Sequence, residues 1–435
     1  MRIETPSPST CCPPVDSNTS VPTALDARVA RMKKRLLEAP YEVCMARARY
    51  FTQSYRATEG QDPHRRNAAA LQHTLENQRI SIEPDERLAG SKTEKFLAGP
   101  LSVERGDFLR TLQLEMDILE KKQKPFRITE EERKIFWKEI LPYWHGRTVR
   151  DLKARKWDER GLIDTKGGLL RLWTDRKDGL RYIRYLGPRR LRKLLGANLD
   201  ARPSLRRTRN LLALRYEFAR NNPTPAAYCF DVQGHLSLGV DKAIEQGFDS
   251  IIHRAEERLA TLRRNSKADP RAEAFLQSVI QSLRAAIAYS ERFALLAESQ
   301  AKAASDPEER SRLEAIARHC RHVPRNRPRS FHEALQSAWM VHLVGEIQYG
   351  THDVFTAGRI DQFLYPFYRA DIDSRRLTRA EAVALLQEYY LKLSANVEPI
   401  PEVGMETNGV LGNSQHCVII GGLTPNGRDA LCRYH

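Results

Sequence analysis

The chain has 435 residues, of which 41% are hydrophobic and 29% charged, so it is long enough for a large core and unlike a disordered or fibrous sequence. No stretch approaches the roughly 18 uninterrupted apolar residues that a membrane-spanning helix needs. A formal net charge of +16 raises a polyanion-binding reading that depends on where the basic residues lie.

In chain order, the opening "MRIETPSPSTCCPPVDSNTS" is rich in Pro, Ser and Thr, with no apolar run behind a basic start. It reads as a disordered lead-in over residues 1–24 rather than a secretory signal, and a cytoplasmic protein is the simplest expectation. "ITEEERKIFWKEILPYW" begins with a capping box, Thr129 with Glu132, and is expected to stop near Pro142. Much of the basic excess then gathers in residues 176–222, within a stretch, 151–222, that reads as a basic helical insertion. Tyr182, Tyr185 and Tyr216 offer stacking partners for a nucleic acid. Leucines at helical spacing make a solvated basic face the plainer reading, and no recognised nucleic-acid motif accompanies them. Attraction of an anionic substrate or partner surface is the milder use of that charge.

Residues 271–305 are almost free of Gly and Pro and predict one long helix or two in series. "SDPEERSRLEAIARHC" places Asp306 at an N-cap and Pro307 in the first turn. In "FHEALQSAWMVHLVGEIQ", Phe331, Ala334, Leu335, Ala338 and His342 trace a helical stripe. "LTRAEAVALLQEYYLKLSANV" repeats the capping box with Thr378 and Glu381. Strands are scarcer. The best is "HCVIIGGL", residues 416–423, expected as a buried strand ended by the turn "TPNGRDA".

Spacing alone yields little chemistry. There is no GxGxxG, P-loop or HExxH, and no GxSxG in a strand-turn-helix setting. The seven cysteines (Cys11, Cys12, Cys44, Cys229, Cys320, Cys417 and Cys432) form no CxxC pair, and a disulfide framework is not expected. His319, Cys320 and His322 cluster in "RHCRHVP", but no further ligands follow at regular spacing, so a helix end outweighs a zinc site. Two clusters suit hydrogen bonding or proton transfer: Asp231 and His235 around Gly234 in "CFDVQGHL", and His352 with Asp353 just past Gly350 in "YGTHDVFTAGR". A lone histidine is more commonly structural than catalytic.

Co-linear motifs add more. Phe331, Glu333 to Gln336, Gly358, Arg359, Asp361, Gln362, Tyr365 to Tyr368 and Asp371 spell out F-x-E-A-L-Q, G-R-x-D-Q, Y-P-[YF]-Y and an aspartate. With "RARYFTQSYRATEGQDPHRRNAAAL", "ISIEPDERLAG", "EILPYWHGRT" and "VIIGGLTPNGRDA", this text resembles the glycyl radical enzymes of the pyruvate formate-lyase-like superfamily, in order over about residues 25–430. The resemblance implies an α/β, predominantly helical chain forming part of a ten-stranded β/α barrel, over residues 25–435. It implies lyase, dehydratase or decarboxylase chemistry through glycyl and thiyl radicals, a radical-SAM activating enzyme as partner, a small-molecule substrate and a homodimer.

By position within the resemblance, His235, His352 and Asp353 are the substrate-contacting candidates. Residues 355–358 are expected to end a loop at the barrel mouth, fixed by Arg359 and Asp361, with Pro366 breaking the following helix. After Ala430 the text "LCRYH" departs from the family pattern. Neither Cys417 nor Cys432 sits in the family's cysteine-loop context, so no catalytic residue is assigned. The chain alone is expected to bind no cofactor and to be inactive in radical chemistry, the organic glycyl radical belonging to longer relatives. A noncatalytic remnant or interaction subunit, and polyanion binding through 176–222, are the alternatives.

Overall fold

Short polar side chains set the helix starts. Asp26 accepts from the Arg28 and Val29 N–H groups at the head of α1 (Ala27–Glu38). After β1 (Tyr41–Glu42) and α2 (Ala46–Ala57), Asp62 and Pro63 open α3 (Pro63–Asn77). These elements come from a computed structural model describing residues 26–106, most of 109–152, 156, 236–264, 269–350, 355–395, 397, 417–423 and 426–427. The lead-in 1–24, the basic residues 176–222 with nearly all of their subregion, and His235, His352 and Asp353 lie outside the described residues.

β2 (Phe126–Arg127) pairs parallel with β1 and precedes α4 (Glu130–Ile135), where Thr129 and Glu132 form the expected capping box. The helical path ends at Trp144, two residues past Pro142, as anticipated. A π turn over Phe136–Ile140 resets the hydrogen-bond register into α5 (Leu141–Trp144), so Pro142 falls in a first turn, where its missing N–H breaks no ladder bond.

β3 (Leu236–Ser237) leads into α6 (Val240–Gln246) and α7 (Phe248–Arg264). Residues 271–303 of the expected helical stretch lie in one helix, α8 (Pro270–Ala303), of 34 residues. Its buried stripe, including Ala274, Ser278, Tyr289, Phe293, Ala297 and Ala301, follows the helical period and packs on α3, α7 and α9 (Pro307–His322). Asp306 caps α9 by accepting from Glu308 and Glu309 N–H. The His319, Cys320 and His322 cluster is its last turn: Cys320 is buried, His322 Nε2 lies 2.9 Å from the Arg327 carbonyl, and no metal-holding group occurs among the described residues.

α10 (Phe331–Tyr349) carries the expected stripe but is buried on nearly all sides, Ser337, Trp339, Met340 and Leu343 included. It is the spine of the larger core, touching α3, α6, α8 and α9, with α11 (Ile360–Asp373) and α12 (Arg379–Ser394) packed on it as well. α11 runs through Pro366 unbroken. Burial of Ile360 and Leu364 and the Phe331–Tyr368 ring contact at 5.8 Å offset the single ladder bond that proline removes. Thr378 and Glu381 form the second capping box, at α12.

β4 (Phe355–Arg359) is the middle of a parallel three-stranded sheet ordered β3-β4-β5, with β5 spanning Cys417–Ile419. Residues 355–358 are therefore strand, not the end of a loop. Of the strand expected over 416–423, Cys417–Ile419 forms β5, and it is not buried: Ile419 and Ile420 are 45% and 65% exposed. β5 has a hydrogen-bonding neighbour on one side only among the described residues. The strand-then-helix order at β3–α6 and β4–α11 is the α/β arrangement anticipated, and no closed barrel forms among the described residues.

Candidate functional site

Two polar constructions fix the sheet, one at each end. At the downstream end, Thr356 pairs with Cys417 and Arg359 with Ile419, so β4 spends one extra residue in a bulge. Gly358 lies in that bulge with φ +78°, a conformation that a side chain strains. Beyond it, Arg359 donates to the Leu423 carbonyl, Asp361 Oδ2 accepts from Gly421 N–H at 2.6 Å, and Gln362 Nε2 donates to the Gly421 carbonyl at 3.0 Å. Arg359 and Asp361 thus hold their neighbours as anticipated, the neighbours being the turn after β5. The G-R-x-D-Q text is a clamp rather than a reaction centre.

At the upstream end, the clamp is Arg47, which is 1% exposed. Its guanidinium donates to the carbonyls of Ile347, Gln348 and Leu101 and pairs with Glu104 at 2.6 Å. Three of α10's last residues are thereby held, since Gly350 N–H also closes on Glu346 O. Inside α10, Glu346 pairs with Lys92 at 2.9 Å and with His342 Nε2 at 3.3 Å, all buried. The His342 ring meets Trp339 and Phe355, each at 6.1 Å, which ties the helix to the first residue of β4. Gly345 lets α10 approach closely: a Cβ there would come within 2.9 Å of Leu238, just after β3.

The remaining motif residues are structural as well. Gln336 donates to and accepts from the Ala89 backbone at 2.8 Å, and Glu388 accepts from the Arg87 and Leu88 N–H groups at 2.6 and 2.8 Å. These side chains hold "PDERLAG" as a neighbouring strand would. Asp371 accepts from Phe331 N–H at 2.8 Å and from Arg376, joining α10 to α11.

This frame bears on the three candidates, none of which is itself described. Residues 351–354, with His352 and Asp353, run from Gly350 to Phe355, both held in place. His235 immediately precedes Leu236, and Leu236 is the register partner of Phe355. The described strands that follow the two clusters are therefore hydrogen-bonded neighbours running the same way. Asp231 also falls outside the described residues. Cys417 lies on β5, while Cys44 and Cys320 are buried with thiol pKa values pushed by burial to about 11 and about 12, which keeps them unreactive.

Sequence reading missed the Lys92–Glu346–His342 seam and the Arg47–Glu104 pair. A signal existed for the first: His342 and Glu346 stand four residues apart inside an otherwise apolar helix.

A profile of the pyruvate formate lyase-like family matches residues 20–165 and 222–433. The isethionate sulfite-lyase of Nitratidesulfovibrio vulgaris is 30% identical over 388 residues, covering 88% of this chain and 41% of that protein. The glycerol-bound B12-independent glycerol dehydratase of Clostridium butyricum superposes with a TM-score of 0.72 at 27% identity, over 94% of this chain and 44% of that one. A glycyl radical enzyme from Archaeoglobus fulgidus shares the fold, with a TM-score of 0.73 at 24% identity, over 94% and 45% of the two chains. The chain spans about two fifths of the length of the curated relatives it matches.

Proposed function

Because the chain belongs to the pyruvate formate lyase-like family, we propose that it forms the substrate-facing wall of a glycyl radical lyase or dehydratase. The substrate class is a small hydroxylated two- or three-carbon molecule, as in the isethionate and glycerol of the relatives' names. The observation that carries this reading is the parallel pairing of Leu236 with Phe355, which makes neighbours of the strands following His235 and following His352–Asp353. Each residue has a role suited to eliminating a group next to a hydroxyl. Asp353 accepts the hydroxyl proton, while His352 and His235 hold the leaving group and can return a proton to it. A glycyl radical, installed by a radical-SAM activating enzyme, supplies hydrogen abstraction in this family. This chain's part is to orient the substrate and exclude water. No residue of this chain is assigned a radical.

Isothermal titration of the chain with isethionate and glycerol tests the reading. Binding of either, weakened about tenfold or more by His235→Ala and by Asp353→Ala, supports it. Binding unaffected by both substitutions, or no binding of either ligand, contradicts it. A second reading, an interaction subunit, is favoured by the exposed apolar side chains of Ile419 and Ile420. Size-exclusion chromatography with thermal melting separates the two, since a monodisperse, cooperatively melting monomer removes the second.

A further inference from the structure

Helix α1 is fastened by charge more than by packing. Of its twelve residues only Val29 and Met32 are fully buried, and Leu37 is 74% exposed. Arg31 and Arg35, one turn apart, share the Asp85 carboxylate: Arg31 Nη2 donates to Oδ1 at 2.5 Å and Arg35 Nη1 to Oδ2 at 2.7 Å. Arg35 also donates to the Pro84 carbonyl, and Arg28 pairs with Glu308 in the first turn of α9. Asp85 itself lies at φ +68°, a left-handed conformation that Gly, Asn and Asp tolerate best. The hydrogen bond from Arg31 first, then that from Arg35, lowers the Asp85 pKa to about 2 against the upward pull of burial. The carboxylate therefore stays charged near neutral pH.

Behind α1 lies a cavity of about 690 Å³, including the part open to solvent. Met32, Arg35 and Leu36 form its α1 wall, and Phe96, Leu391 and Ala395 lie among its other walls. No residue of β3, β4 or β5 lines it, so it goes beyond the substrate wall proposed above. With α1 in place, Met32 is buried at 6% exposure. Partly exposed ion pairs each contribute little and weaken as salt rises, which the burial of apolar side chains does not. An element held mainly by such pairs belongs to the part of a molecule that opens most readily.

We infer that α1 is a flap latched by charge over this cavity, held shut through Asp85 and moving away as a unit when that carboxylate is neutralised or screened. Opening carries Met32 and Leu36 out with the helix and uncovers the apolar wall at Leu391 and Ala395.

Amide hydrogen exchange of the full chain, compared between about 0.05 M and about 0.5 M NaCl, tests the latch. Residues 27–38 are expected to exchange about tenfold faster at the higher salt, and about tenfold faster at low salt in Asp85→Asn, with α8 and α10 unchanged. Asn tolerates the left-handed conformation, so this variant removes charge without straining the backbone. Glu308→Gln, which frees Arg28, is expected to give a smaller rise of about threefold. In a Met32→Cys background, maleimide labelling of the introduced thiol, located by mass mapping, should accelerate about tenfold on adding Asp85→Asn. Exchange in α1 that responds to neither salt nor Asp85→Asn, or that rises only together with exchange in α8, overturns the inference. So does faster exchange without faster labelling, since α1 would then fray in place and leave the cavity covered.

Discussion

The spine helix α10 and the edge strand β5 are held by opposite means. α10 is buried on nearly every side and has polar groups sealed inside it, Glu346 ion-paired with Lys92 and bonded to His342. β5 is exposed at Ile419 and anchored mainly from one side, through β4 pairing and the clamp that Arg359, Asp361 and Gln362 place on its following turn. The first region is over-determined, and errors there have nowhere to relax. The second presents exposed apolar side chains, Ile419 and Ile420, and relies on few contacts. β4, whose first residue directly follows residues 351–354, is the strand that joins the two regions.

The largest effect is expected from breaking the sealed ion pair. Glu346→Gln leaves the buried Lys92 ammonium without its counter-charge and should destabilise the chain by about 3–5 kcal/mol in urea unfolding. Lys92→Met combined with Glu346→Leu should recover most of that loss, because both charges then leave together. A loss below about 1 kcal/mol for Glu346→Gln would erase the contrast between the regions.

Acid should act next, and on the helical side. The His319 and His332 rings lie 4.2 Å apart between α9 and α10. Burial, then the neighbouring His332, Arg318, Arg329 and His322, lower the His319 pKa from 6.5 to about 2. Burial also lowers that of His332, against the upward pull of its bond to the Arg87 carbonyl and of Glu388 and Glu333. Both rings stay neutral when folded, so below the ordinary value of 6.5 the unfolded chain binds more protons and stability falls with pH. A loss of about 1–3 kcal/mol between about pH 7 and pH 5 is expected, flattened in His319→Phe, as read from urea midpoints at each pH. A pH-independent midpoint contradicts the neutral pair.

Gly358→Ala comes third. At φ +78° the added methyl should cost about 1–2 kcal/mol, seen as a lowered Tm together with faster amide exchange along β4 and β5 and little change in α8. Smallest is Ile420→Lys: at 65% exposure it should shift stability by no more than about 0.5 kcal/mol while reducing self-association in light scattering.

Local signals were the legible ones. Thr129 with Glu132, Asp306 with Pro307, and Thr378 with Glu381 each close a helix end within a few residues, so reading them requires no knowledge of the fold. The roles of Arg359 and Asp361 were also readable, because a charged pair following a glycine in so aromatic a span has few uses other than anchoring. Pro366 was misleading, since the burial of α11 that accommodates it comes from packing. "LSLG" carries no β-branched signal, and Leu236–Ser237 is a strand only because Phe355, over a hundred residues away in sequence, lies beside it. Lys92 and Glu346 are likewise partners across 254 positions, a pairing that no window on the sequence spans.

The most direct test of convergence at β3 and β4 is a double-mutant cycle on ligand affinity, with His235→Ala, His352→Ala and the pair, titrated with isethionate and glycerol. The account predicts that the two substitutions couple by about 0.5–3 kcal/mol, as expected of residues that hold one ligand. Losses that add to within about 0.5 kcal/mol would place the two histidines at separate sites and contradict it.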